Sequence, residues 1–202
     1  MTIANYLFVN SMERETQVLA RGLRRRDPDL LDRLIEQYQY RLLRYLLYLT
    51  GSREAAEDFF QETWVRVIDR GHQYNGRFKF ETWLFTIARN LVIDFRRRKT
   101  AGSLDALTEP GEGRPVPEPA APDNLSPADL AAAHEESELI WAALARLPAF
   151  YREVLLLRFQ EDLSLEEIAA VVAAPLSTVK SRLYRGLNDL REELEGEKYE
   201  RR

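Results

Sequence analysis

The sequence predicts an all-α protein of two small helical domains joined by a flexible, acidic, proline-rich linker, the C-terminal domain containing a helix-turn-helix. Three observations predict this. Apolar residues on either side of the middle recur at helical spacing, and no segment alternates with period two. Six of the nine prolines (Pro110, Pro115, Pro117, Pro119, Pro122 and Pro127) fall between residues 110 and 127. Residues 164–191 read as two short helices joined by a turn, the second basic on its outer side.

Taken in order, residues 1–12 read as a flexible N-terminal extension, with Met12 an alternative start. Its TIANYLFVN stretch is too short for a secretory signal, lacks a basic leader and is followed by no small-residue cleavage site. The first domain is expected over 13–100. Leu30, Leu31, Leu34, Ile35, Tyr38, Leu42, Tyr45, Leu46 and Leu49 keep helical spacing up to Gly51, a fitting residue to end a helix. Ser52 can cap the next helix, with Ala55, Ala56, Phe59, Phe60, Trp64, Val65 and Ile68 as its apolar positions. Gly71 and Gly76 bracket a loop, and a last helix runs from about Phe80 to Arg98, with Trp83, Leu84, Ile87, Ala88, Leu91, Val92 and Phe95 packing inward.

Residues 101–135 cannot bury enough apolar surface to offset their ordering entropy, and they are too long for a connection inside one compact domain. The second domain is expected over 136–202, opening with helices over about 128–146 and 149–161. In the helix-turn-helix, Ser164 and Glu167 form a capping box ahead of Ile168, Ala169, Val171 and Val172. Pro175 then breaks the helix in the turn Ala173–Leu176, and Ser177 or Thr178 can cap the second helix. That helix has Val179, Leu183, Leu187 and Leu190 on one face and Ser177, Thr178, Lys180, Ser181, Arg182 and Arg185 on the other. This layout puts reading residues near the start of the second helix, as major-groove recognition requires.

Composition narrows the function classes. With no cysteine there is no disulfide, thiolate nucleophile or Cys-based zinc site, and His72 and His134 lie too far apart in sequence to suggest a metal pair. No metal or cofactor is expected. No apolar run approaches the roughly twenty residues that cross a bilayer, so a cytoplasmic protein with no stable membrane insertion is expected. The net charge of −4 misleads, because it is unevenly spread. Residues 1–100 carry 18 Lys/Arg against 13 Asp/Glu, residues 101–138 one against nine, and residues 139–202 ten against eleven. Phosphate responds to local patches within a Debye length, not to the total.

Two further segments carry chemistry. Residues 71–99 interleave Tyr74, Phe78, Phe80 and Trp83 with Arg77, Lys79, Arg89 and the basic run from Arg96 to Lys99. Single-stranded nucleic acid needs this pairing, cations for phosphates and aromatic faces for exposed bases. Trp83 reads better as core, and for Tyr74, Asn75, Arg77, Phe78 and Phe80 both readings stay open. In the stretch from Glu57 to Glu62, Asp58 and Glu62 lie one helical turn apart, as a carboxylate pair would. Without a histidine at helical spacing or a phosphate-cradling glycine loop, a partner-protein surface fits better than catalysis.

In this order LTGSREAAEDFFQETWVRV (49–67), FETWLFTIARNLVIDFRRR (80–98) and LPAFYREVLLLRFQEDLSLEEIAAVVAAPLSTVKSRLYRG (147–186) resemble a bacterial RNA polymerase sigma factor of the sigma-70 family, extracytoplasmic-function (ECF) type. The resemblance covers about residues 20–100 and 136–192. It implies a sigma-2 domain followed by a sigma-4 domain, no enzymatic activity, and transcription initiation with core RNA polymerase as partner. By it, Asp58, Gln61, Glu62 and Arg66 would dock on the β′ clamp helices. The loop of Tyr74, Asn75, Arg77, Phe78 and Phe80, with Trp83, would melt the −10 element and hold a flipped base. Arg89, Asn90, Arg96 and Arg97 would hold the strand or adjacent duplex, and the six polar residues from Ser177 to Arg185 would enter the major groove at the −35 element. Sigma-4 would rest on the β flap, and an anti-sigma factor is expected. The turn at Ala173–Ser177 lacks the glycines many relatives carry, which allows the recognition helix to start a residue away from its expected place. The competing readings are a stand-alone helix-turn-helix regulator, which has no use for base-stacking aromatics, and a metal-dependent nucleic-acid enzyme using Asp58 and Glu62.

Overall fold

The computed structural model describes residues 16–101 and 139–200, with side chains over 16–98 and 139–196. Among the described residues every regular element is helical. In chain order these are α1 over 16–25, α2 Pro28–Thr50, α3 Arg53–Arg70, a 3-10 turn Gly71–Gln73, α4 Phe80–Ala101, α5 over 139–146, α6 Ala149–Phe159, α7 Leu165–Val172 and α8 Leu176–Glu200. The expected N-terminal extension, the linker past residue 101 and the first part of the helix expected from 128 lie outside the described residues.

Local signals set the ends of the first helices. The Asp27 side chain accepts from the amides of Asp29 and Leu30, and Pro28 stands in the first turn of α2, where a missing N–H costs nothing. Gly51 closes α2 in the left-handed region at φ 66°, and Ser52 caps α3 by accepting from the Ala55 amide. Helices α2, α3 and α4 pack on one another around Leu42, Leu46, Ala56, Val67, Leu84, Phe85 and Ala88. Each fully buried Leu or Phe contributes about 1.5–3 kcal/mol. Gly71 lets the chain pass close to α1, since a Cβ there would lie 2.6 Å from the Leu23 carbonyl oxygen.

The apolar pattern differs from expectation at three positions. The buried stripe of α3 runs through Ala56, Thr63, Trp64 and Val67, which leaves Val65 half exposed on the next face. The buried run of α4 ends at Val92. Phe95 lies past it, half exposed, with its ring edge against Phe59 at 5.5 Å. On α8, Leu187 is exposed, while Gly186 is buried where a side chain would press on Tyr151 and Leu155.

In the C-terminal half, α6, α7 and α8 pack together. The capping box forms as expected: the Ser164 hydroxyl accepts from the Glu167 amide, and Glu167 accepts from the Ser164 amide. The turn is one residue shorter than expected, Ala173–Pro175. Ala173 ends α7 in the left-handed region at φ 50°, the conformation glycine adopts without steric cost. Pro175 then opens α8, its carbonyl accepting from the Val179 amide at 3.1 Å. Ser177 and Thr178 therefore stand inside the first turn of α8 rather than capping it. The two halves touch, with α7 packed across α4.

Candidate nucleic-acid interface

The loop between α3 and α4 divides its aromatics into supports and exposed groups. Tyr74 and Phe80 are buried, each 3% exposed. Their rings pack with Trp83 and Tyr38: Tyr38–Phe80 centroids lie 5.4 Å apart, Tyr74–Trp83 5.4 Å and Phe80–Trp83 5.9 Å. Burial, reinforced by the charge of Glu81, pushes the Tyr74 hydroxyl up to about 12, and that hydroxyl donates to the Phe78 carbonyl at 3.1 Å. In this conformation Tyr74 and Phe80 shape the loop and do not offer stacking faces. Asn75 and Arg77 are exposed, Phe78 is half-buried, and the Arg77 guanidinium lies 5.6 Å from the Phe78 ring centre. The Asn75 side-chain oxygen accepts from the Arg77 amide, and Gly76 takes a positive φ of 71° between them.

Along α4 the polar residues face different ways. Asn90 and Arg97 are exposed, the latter in a solvent-facing pair with Asp94. Arg96 donates to the Leu49 carbonyl and ties the end of α4 to α2. Arg89 turns inward. Its Nε lies 2.8 Å from Glu153 Oε1 on α6, which also accepts from the Tyr45 hydroxyl at 2.8 Å. Burial opposes the Arg89 charge, but Glu153 outweighs it and raises the guanidinium above its ordinary value. Burial, with Glu153 adding to it, also pushes the Tyr45 hydroxyl well up.

On α3, Asp58 and Gln61 are exposed, and Glu62 pairs with Arg66 at 2.8 Å across one helical turn. Exposed Val65 lies at helical spacing from Asp58, Gln61 and Glu62, an apolar centre for this face that sequence reasoning counted as core. Among the described residues no group of three or more His, Asp or Glu could hold a metal ion.

The polar residues of α8 differ in exposure. Ser177, Lys180, Ser181 and Arg185 are exposed, Thr178 is half-buried, and Arg182 packs over the Phe150 ring at 5.5 Å. The sequence reading missed Tyr184, 71% exposed between Ser181 and Arg185. Its signal was a large aromatic on the polar face of an amphipathic helix.

The seam between the halves is polar and buried. Glu161 receives Arg41 Nε at 2.7 Å and Arg44 Nη2 at 3.1 Å. The Tyr48 hydroxyl donates to the Ala149 carbonyl at 2.6 Å, with the Arg152 guanidinium 5.2 Å from the Tyr48 ring centre. Glu167 accepts from the Thr82 hydroxyl at 3.2 Å through the oxygen its capping bond leaves free.

Comparison with known proteins agrees with this layout. Residues 34–102 match sigma-70 region 2, and residues 137–190 match sigma-70 region 4. The chain is 31% identical over 184 residues to the ECF RNA polymerase sigma factor SigW of Bacillus subtilis, covering 91% of this chain and 98% of that protein. It is 33% identical over 163 residues to SigX of the same organism, covering 80% and 82%. In fold it is similar to the sigma factor RpoE of Bartonella quintana, solved with the anti-sigma factor NepR, at a TM-score of 0.62 and 23% identity over 81% of this chain and 96% of that one. It is also similar to CnrH, solved with the cytosolic domain of CnrY, at 0.59 and 20% over 89% and 96%. These matches lend no support to a stand-alone regulator, whose N-terminal half would have no reason to follow sigma region 2. With helices α2–α4 over region 2 and the helix-turn-helix within region 4, the chain belongs to the ECF sigma factors of the sigma-70 family, which direct RNA polymerase to promoters.

Proposed function

We propose that residues 13–100 act as the sigma-2 domain and 136–202 as the sigma-4 domain, and that the named side chains divide initiation between them. Asp58, Gln61, Glu62 and Arg66, grouped around Val65, form the docking face for the β′ clamp helices. Asn75, Arg77 and Phe78 meet the melted −10 strand, Phe78 as the stacking face and Arg77 as the cation. Tyr74, Phe80 and Trp83 hold that loop in shape. Asn90, Arg96 and Arg97 line the path of the strand along α4, and Arg89 joins them once released from Glu153. Ser177, Thr178, Lys180, Ser181, Arg182 and Arg185, with Tyr184, meet the −35 element in the major groove, and sigma-4 rests on the β flap.

The observation that carries this reading is the pair of separate exposed surfaces. One is an aromatic-basic loop suited to unpaired bases, and the other is a polar helix face suited to a groove. The protein acts in the cytoplasm, and no described helix is long and apolar enough to cross a membrane. It contributes binding and not chemistry, and an anti-sigma factor regulates it; the structurally similar RpoE was solved in complex with the anti-sigma factor NepR.

The test is run-off transcription with purified core polymerase on a library of bacterial promoters. Specific initiation that depends on Phe78 and on Arg185 supports the assignment. Initiation indifferent to both would refute the division of roles.

A further inference from the structure

Helix α1 and the residue that follows it carry four exposed arginines, Arg21, Arg24, Arg25 and Arg26. Arg21 lies three and four positions before Arg24 and Arg25, so these three share one face of the helix. Within the described residues α1 contains no acid, and Arg26 is the member of the four that has an ion-pair partner, Asp69 at 3.4 Å on an open surface. A cation in the last turn of a helix is favoured by the macrodipole, and one suffices for that. Arg21 and Arg25, one helical turn apart, instead repel each other. Arg26 also stands in the left-handed region at φ 53°, where its amide donates to the Leu23 carbonyl at 3.2 Å and the Asp27 amide donates to the Gly22 carbonyl at 3.1 Å. Glycine is the usual residue at such a helix end, because a side chain there is strained. The fold bears both repulsion and backbone strain to keep these four cations together.

Their place in the fold gives the cluster a use. Helix α1 runs beside the loop between α3 and α4: the Leu23 carbonyl lies against Gly71 and the Thr16 methyl against Gly76, each so close that a Cβ on the glycine would collide with it. The arginines therefore continue the exposed cations of the loop, Arg77 and Lys79, along a helix about 15 Å long. Helix α1 borders the first half of the loop, from Gly71 to Gly76, whereas α4 leaves from its far end at Phe80. With Asn90, Arg96 and Arg97 on α4 facing the side that returns to duplex toward the −35 element, α1 stands where the strand leaves in the other direction.

We infer that Arg21, Arg24 and Arg25, with Arg26 at their edge, hold the phosphates of the melted strand as it leaves the loop on the 3′ side of the −10 bases. This rests on the reading of the loop as the −10 contact. Phosphate contacts position a strand without reading its bases, and each one releases condensed counterions. The arginines of α1 thus add affinity that depends on salt and not on sequence.

The test uses the full-length chain and three single strands from a promoter selected by run-off transcription: the −10 bases alone, the same bases lengthened on the 3′ side, and the same bases lengthened on the 5′ side. Fluorescence anisotropy over a range of salt compares the parent with a variant carrying Arg21→Gln, Arg24→Gln and Arg25→Gln, checked for helix content and melting temperature. The parent should bind the 3′-lengthened strand more tightly than the −10 bases alone. The variant should lose that gain, roughly 100-fold at 0.1 M salt, with the salt slope on that strand reduced by about 2, or about 0.7 for each phosphate. Affinity for the other two strands and for core polymerase should not change. An unchanged salt slope on the 3′-lengthened strand overturns the phosphate contact. Equal losses on all three strands overturn the placement, since the arginines then act as a general field. Weaker binding to core polymerase with all strands bound normally gives this face to the polymerase and overturns the inference as well. Run-off and strand binding indifferent to Phe78 refute the −10 reading instead, whereas Phe78-dependent run-off with a variant that binds the 3′-lengthened strand as the parent does overturns the role of α1 alone.

Discussion

Phe78 and Phe80 are two residues apart in one loop, and truncating them should have opposite consequences. Phe80 is buried against Tyr38, Tyr74 and Trp83. Removing a buried Phe costs about 3–5 kcal/mol, and three ring contacts of about 0.5–1.5 kcal/mol each put Phe80→Ala near the top of that range. For a chain of this size about 5 kcal/mol lowers the melting temperature by roughly 10–20 °C. Phe78 is half-buried, and the bond from the Tyr74 hydroxyl goes to its backbone carbonyl, which survives truncation. Phe78→Ala therefore loses the exposed Arg77 contact, about 0.5–1 kcal/mol, and leaves the fold in place. It should instead remove one stacking face, about 1–3 kcal/mol, or roughly 5- to 150-fold in affinity for the −10 strand. Thermal unfolding by circular dichroism and strand binding by fluorescence anisotropy separate the two effects. Equal destabilisation by both variants, or a Phe78→Ala protein that binds the strand normally, would refute the division of this loop into support and contact.

Ala173→Gly should stabilise the C-terminal half by up to about 1 kcal/mol, because it relieves a side chain held at positive φ; a melting temperature no higher than the parent's would count against strain in the turn. The raised value of the Tyr74 hydroxyl makes its neutral form part of the fold. That contribution is complete below about pH 10, where the hydroxyl of an unfolded chain stays protonated, and is lost as pH rises from about 10 to about 12. Thermal melts across this range should show a shallower alkaline decline for Tyr74→Phe. On α8, Arg185→Ala should cost about 1–3 kcal/mol and relax preference at one −35 position, whereas Lys180→Ala, if it removes a phosphate contact, should weaken all sequences alike and reduce the salt slope by about 0.9. Binding isotherms over several salt concentrations distinguish them.

The helices were legible because their signals are local. Gly51, Ser52 and the Ser164–Glu167 box announce ends within four residues, and the 3.6-residue recurrence of Leu31, Leu34, Tyr38, Leu42 and Leu46 marks a buried stripe. Where a segment is apolar on more than one face, the period loses its phase. Phe59, Phe60, Val65 and Val67 all lie within three turns of α3, and the pattern alone does not say which valine faces inward. The same holds for aromatics in a basic loop, because Tyr74 and Phe80 have the neighbours a base-stacking residue would have. Phe80 is covered by Tyr38, 42 positions earlier in the chain, and Tyr74 packs in turn on Phe80 and Trp83. The seam left no trace in the sequence. Glu153 and Glu161 look like ordinary charged positions, and their partners are 64 to 120 residues away.

That separation has a consequence for synthesis. Translation runs at about 5–20 residues per second, so Arg89 leaves the ribosome several seconds before Glu153, and Arg41 precedes Glu161 by roughly 6–24 seconds. During that interval the helices α2–α4 have their own core but none of the carboxylates that will cover their arginines. Each newly made chain passes once through a period in which its first half is complete and uncovered, and a polymerase nearby can meet it before the second half exists to close over it.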